Sequence, residues 1–164
     1  MRVALIESDD RATARIAELL EAELDVQVEW LRPPEAPAGA WGLPGALPEL
    51  ERTLAELRPK ALLVWGSDPD ALAAGLAAAK LEVALVSLDA GRRASDAAPG
   101  EPPRGSSLEP ALVDRLAALR LCRGSPESER LRDEGFAEGA RVVGDPVADP
   151  GPCAAAVLAW LAER

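Results

Sequence analysis

The stretch from Lys60 to Arg93, KALLVWGSDPDALAAGLAAAKLEVALVSLDAGRR, constrains the fold more than any other part of the chain. Ala61 to Trp65 is an apolar run of strand length, and Gly66, Ser67, Asp68, Pro69 and Asp70 are residues that turn a chain and start a helix. Ala71 to Lys80 is nearly all alanine and leucine, with Gly75 small enough for close packing, and Val83 to Leu88 is a second apolar run. A strand, a helix and a strand in that order form a βαβ unit, which implies a parallel sheet with a right-handed crossover. Ligands of such sheets sit beyond the carboxyl ends of the strands. The loops at 66–70 and 89–93 therefore define the candidate site.

The same alternation runs through the rest of the chain. Arg2 to Ile6 reads as a first buried strand, followed by an acidic loop, Glu7 to Asp10, in which Ser8 or Asp9 would cap a helix from Arg11 to about Glu23. Val26 to Leu31 is a second strand. Arg32 to Pro48 is so rich in Pro, Gly and Ala that a long surface loop or a flexible arm is expected, with Trp41 in its middle either folded back on the sheet edge or contacting a ligand or partner. Leu47, Leu50, Leu54 and Leu57 mark an amphipathic helix ending before Pro59. Beyond the central unit, 94–107 is a second Pro- and Gly-rich loop. Helices at 108–119 and 126–134, strands at 120–122 and 141–143, and an alanine-rich helix at 152–164 complete the chain. The expected architecture is a single Rossmann-like α/β/α sandwich over 1–164 with a mostly parallel sheet, its terminal helix docking back on that sheet.

Composition removes several kinds of function. The net charge of -10, without a basic run, disfavours nucleic acid as a partner. No histidine is present, so acid-base chemistry falls to carboxylates, and the two cysteines, Cys122 and Cys153, lie in no metal or redox spacing and read as buried thiols. Neither a GxGxxG nor a Walker motif occurs, which disfavours NAD and ATP. No metal site and no cofactor are expected. The amino terminus enters a strand directly and no apolar run reaches membrane-spanning length, so a cytoplasmic protein without membrane contact is expected.

From Leu50 to Asp149 the segments resemble, in order, the amino-terminal half of the non-hydrolysing UDP-N-acetylglucosamine 2-epimerases, half of a GT-B-type fold. The central unit is similar to that family's strand, Gly-Asp-Thr turn, alanine-rich helix, strand and Glu-Ala-Gly-Leu-Arg. LVDRLAALRLCRGSPESERLRDEGF resembles its next helix, strand and helix, and VVGDPVAD its Gly-Asn-Pro-Val-Val-Asp. The resemblance implies chemistry in which the C2 proton of the sugar is removed, UDP leaves, and both return, with carboxylates near C2 and cations at the diphosphate. It places Asp89 at the position of the motif glutamate as base, Asp68 as the second carboxylate, and Gly66, Ser67, Arg92, Arg93, Gly144 and Asp145 around a nucleotide-sugar ligand.

The departures from the family pattern are as informative. Ser67 replaces the turn aspartate, Gly105, Ser106 and Ser107 replace Pro-Glu-Glu, with Glu101 or Glu109 as substitutes, and the first loop is acidic where the family carries an arginine. The resemblance implies that the family's second domain supplies most uridine and diphosphate contacts, and the segments matched here are those of the first domain. A stand-alone epimerase-like domain that binds a small ligand or protein partner without catalysis is therefore the expectation, and an active nucleotide-sugar epimerase, converting UDP-GlcNAc to UDP-ManNAc and completed by another subunit or chain, is the alternative. A homodimer built on Trp41 and the alanine-rich helices is the third reading. Read as ordinary surface chemistry, Asp68 and Asp70 cap a helix, Asp89 accepts loop amides, and Arg92 and Arg93 are solvated or paired.

Overall fold

Six parallel strands form one sheet in the order β2-β1-β3-β4-β5-β6 in the computed structural model, which describes residues 1–6, 11–23, 25–32, 43–66, 70–93, 96 and 108–164. The strands are β1 (Arg2–Ile6), β2 (Gln27–Leu31), β3 (Ala61–Trp65), β4 (Ala84–Leu88), β5 (Leu119–Cys122) and β6 (Ala140–Val142). Between them lie α1 (Arg11–Glu21), α2 (Leu43–Leu57), α3 (Ala71–Lys80), α4 (Leu108–Leu116) and α5 (Ser125–Asp133), and α6 (Gly151–Ala162) closes the chain. This is the Rossmann-like three-layer arrangement that the alternation of segments predicts.

Side chains alternate across the sheet and so sort into two apolar layers. Val3, Leu5, Leu63, Val86, Leu88 and Leu121 face α1 and α6, where Ile16, Leu20, Val157 and Trp160 meet them. Ala4, Ile6, Leu62, Val64 and Leu85 face α2, α3 and α4. The third helix is buried on nearly every side because its alanines let it lie flat between α2, α4 and the sheet. Gly75 is needed there: a Cβ would stand 3.2 Å from Leu85 Cδ2 and 3.3 Å from Leu116 Cδ1.

Three local expectations are corrected. The Pro-rich segment does not stay irregular to Pro48, since α2 begins at Leu43 and takes in both Pro44 and Pro48. Pro44 lies in the first turn, where its missing N–H has no intrahelical acceptor. Pro48 costs about 3 kcal/mol in a helix interior, which the burial of Ala46, Leu50 and Leu54 offsets at about 1.5–3 kcal/mol for each leucine. Asp70 occupies the cap position of α3, yet its side chain makes no capping bond and its backbone is helical, so it does not cap as expected. The fourth helix ends at Leu116, before the expected Leu119, because Ala118 N–H bonds Leu85 O at 2.8 Å and the chain has already joined the sheet. Ser8, Asp9, Trp41, Ser67, Asp68, Glu101 and the 105–107 triplet lie outside the described residues.

Both cysteines are buried free thiols. Burial pushes each up to about 12, so neither is a thiolate at neutral pH. The sign follows: with the folded value above the unfolded one, the stabilisation is complete below the ordinary thiol range and is lost as pH rises toward 12. Native protein at pH ~8 is expected to leave both thiols unreacted with DTNB, and denatured protein to release both. Rapid reaction of native protein would show that the α6 face opens at Cys153 or the α5 face at Cys122.

Candidate active site

The carboxyl ends of β4, β5 and β6 converge on one ion-pair network. Asp89 follows β4 directly and has a left-handed backbone, φ +60°, uncommon for a residue with a Cβ but tolerated by aspartate. The turn drives its carboxylate inward, and its side chain is 0 % exposed. Arg123, the residue after β5, donates from Nε to Asp89 Oδ1 at 2.5 Å and from Nη2 to Oδ2 at 3.2 Å. Arg92 adds a third bond to Oδ2 at 3.3 Å. Such forked pairing is the strongest a carboxylate makes with a side chain.

Two effects compete for the Asp89 proton. Burial pushes its carboxyl above the usual carboxylate range, and the bonds and charges of Arg123 and Arg92 pull it back only in part. On Arg123 burial acts downward, but the hydrogen bond and charge of Asp89 raise it on balance. The geometry is that of an ionised pair, and the guanidinium keeps its proton.

Asp145, beyond β6, lies 3.3 Å from Arg123 and accepts Val147 N–H at 3.0 Å. It is half-exposed, and Gly144 before it turns at φ +83° with open space about its Cα. Gly66 sits under the neighbouring strand end, its N–H bonded to Leu88 O at 3.0 Å. Thus Gly66, Asp89, Arg92, Gly144 and Asp145 are all at the carboxyl edge.

Arg93 belongs to a second network, beneath the first. Its guanidinium bonds Asp114 Oδ2 at 2.8 Å, Glu134 Oε2 at 2.7 Å and the Arg92 carbonyl at 2.7 Å, leaving the side chain 9 % exposed. Asp114, on α4, also accepts from Ser87 Oγ at 3.0 Å and from Gly91 N–H at 3.0 Å. Asp96 and Arg130 hold the other end of the loop: Arg130 bonds Asp96 Oδ1 at 2.9 Å and the Gly91 carbonyl at 2.6 Å, and Asp96 accepts Arg93 N–H at 2.8 Å. The Asp89–Arg93 loop is therefore fastened from α4 and α5.

Sequence reasoning singled out neither Arg123 nor Asp114. A signal for each existed. Arg123 stands immediately after a strand end, where parallel sheets present their ligand-facing groups. Asp114 shares a helical face with Pro110, Val113 and Ala117, so an ionisable group falls on an apolar stripe. Among the described residues, no cluster of carboxylates or thiols could hold a metal ion, and no helix is long and apolar enough to cross a membrane.

These features define an α/β domain of the Rossmann type whose candidate site lies at the carboxyl edge and is dominated by arginine–carboxylate pairs. The family model described as UDP-N-acetylglucosamine 2-epimerase matches residues 11–158. The chain belongs to that family. The UDP-GlcNAc 2-epimerase of Methanocaldococcus jannaschii superposes with a TM-score of 0.75 at 20 % identity, over 100 % of this chain and 50 % of that one. The Neisseria meningitidis enzyme, solved with UDP-GlcNAc bound, gives 0.78 at 16 % identity over 99 % and 49 %. A co-structure of S. aureus MnaA with UDP gives 0.73 at 21 % identity over 88 % and 44 %. At such identities the likeness is one of fold, and the chain spans about half the length of these relatives. Comparison with curated proteins finds no match.

Proposed function

We propose that this chain is a binding domain of the epimerase family that on its own does not move the C2 proton. The observation that carries this reading is the state of Asp89. A general base must present a free oxygen within hydrogen-bond reach of the proton it takes. Asp89 instead has both oxygens engaged by Arg123 and Arg92, and its side chain has no exposed surface. Arg93, which would serve a phosphate, is neutralised by Asp114 and Glu134. What remains accessible at the edge is Arg92, Gly144, Asp145 and the outer part of Arg123, a surface suited to a nucleotide sugar or to a protein partner.

The test is proton exchange. The isolated chain, incubated with UDP-GlcNAc in deuterated buffer, is expected to leave the C2 proton signal intact while the amides of Arg92, Gly144 and Asp145 shift as ligand is added. Deuterium appearing at C2 with the chain alone would overturn the reading.

One observation favours a second reading: the relatives are about twice as long as the part matched here. In that reading another subunit supplies the missing half of the cleft, Asp89 acts as base once Arg123 is drawn away, Asp68 is the second carboxylate, and Arg93 orients the diphosphate. Completion by a second copy would make exchange per chain rise with protein concentration, in step with dimer formation by light scattering. A strict monomer at all concentrations would exclude the homodimer. We place the protein in the cytoplasm, where its two thiols would stay reduced.

A further inference from the structure

Away from the epimerase-type edge, a cavity of about 590 Å³ opens beneath the amino ends of β5 and β6, between the α5–β6 turn and the end of α6. Phe136, Trp160, Arg120 and Arg141 are among the residues that line it. That is the size of a small-molecule pocket, with aromatic walls and a few convergent polar groups.

The charge around it runs opposite to that of the chain. In a molecule of net charge -10, Arg115 and Arg120 lie 5.0 and 4.9 Å from the centroid of Phe136, and Arg164 lies 4.7 Å from that of Trp160. Arg120 is only 7 % exposed. Its Nε donates to Asp114 O at 2.6 Å and its Nη1 to Glu138 O at 3.0 Å, but no carboxylate lies within ion-pairing distance of it among the described residues. Carbonyl dipoles satisfy donors without cancelling a buried charge, which is costly until a counter-charge arrives. Burial accordingly lowers the affinity of Arg120 for its proton, and the more distant Asp114 only partly restores it. Arg141 has one loose partner, Glu163 at 3.7 Å, itself well exposed. Glu138 is the acidic residue of the lining, and it engages Arg120 through its main chain.

We propose that this cavity binds a small ligand carrying an oxyanion, a carboxylate or a phosphate, on an aromatic or apolar body. The anion pairs with Arg120 and Arg141, and the body lies against the half-buried Phe136 beside the rim of Trp160. The site is separate from the carboxyl edge and does not depend on the function proposed for it.

Titration of the full chain in low-salt buffer, followed by amide NMR, tests this with benzoate, phenyl phosphate and the uncharged benzyl alcohol. Benzoate or phenyl phosphate is expected to shift Gly135, Phe136, Gly139 and Arg141 saturably, and the tighter of the two identifies the anion. Benzyl alcohol is expected to bind at least about tenfold more weakly, the worth of one charged hydrogen bond. Arg120→Met removes the buried charge, and because that variant can fail to fold, Arg141→Ala, at a position 37 % exposed, is the second probe. It is expected to weaken the anion about tenfold. The proposal fails if neither anion shifts these amides, if benzyl alcohol binds equally well, or if Arg141→Ala leaves the affinity unchanged.

Discussion

Replacing Asp114 with alanine is expected to lower the unfolding free energy by about 3–5 kcal/mol, the cost of breaking a buried charge pair from one side. The substitution strands three groups at once: the Ser87 hydroxyl, the Gly91 N–H and the Arg93 guanidinium, which bond the carboxylate at 3.0, 3.0 and 2.8 Å. Glu134 still holds Arg93 from the more exposed side, so the charge is not abandoned outright. Asp114→Asn keeps an acceptor but loses the charge, and about half of the alanine effect is expected for it. Urea denaturation checks both, with the variants ordered alanine below asparagine below wild type. An alanine variant within about 1 kcal/mol of wild type would mean that the Asp89–Arg93 loop does not depend on α4. The effect reaches the candidate site because that loop carries Asp89, Arg92 and Arg93 together.

Gly91→Ala is the second large effect, expected to cost about 3 kcal/mol from backbone strain and overpacking combined. The glycine has φ +82°, and a Cβ there would lie 2.7 Å from the Glu127 carbonyl oxygen and 2.8 Å from Glu127 Cβ. Relief would require α5 to move outward, and α5 begins two residues after Arg123. The same variant should therefore loosen the Asp89–Arg123 pair, seen as a chemical-shift change at the Arg123 Nε proton alongside the lower urea midpoint. Gly144→Ala is the control: its φ is +83° but nothing crowds it, so only the strain contribution of about 1 kcal/mol is expected. Equal losses in the two variants would remove the role assigned to Glu127 contact.

The glycine and arginine of the 89–93 segment thus have reasons that the motif itself does not state. Gly91 is required where the loop passes over α5, and Arg93 is required as an internal brace. The βαβ topology and the resemblance to the epimerases both mark this segment as a ligand contact, and the geometry adds a structural duty to it.

Much of the fold was legible because burial in a parallel sheet leaves a local mark. Arg2–Ile6, Ala61–Trp65 and Ala71–Lys80 have in the structure the bounds that their runs of apolar residues indicate. The Pro-rich stretch misled where a stabilising face outweighed a local penalty: Pro48 reads as a helix breaker, while the partners that Leu50 and Leu54 find on the sheet are invisible from the sequence.

The sequence by itself determined the alternation of strands and helices, the parallel sheet and the edge at which Asp89 and Arg92 stand, since each follows from the spacing of apolar residues along a few turns of chain. Only the tertiary structure decided that Asp89 is locked by Arg123, 34 residues away, and Arg93 by Asp114, 21 residues away. A charge in a sequence carries no record of its partner. Whether it faces water, a ligand or another charge is settled by how the strands and helices pack, and Coulomb interactions become strong only where that packing has removed the solvent.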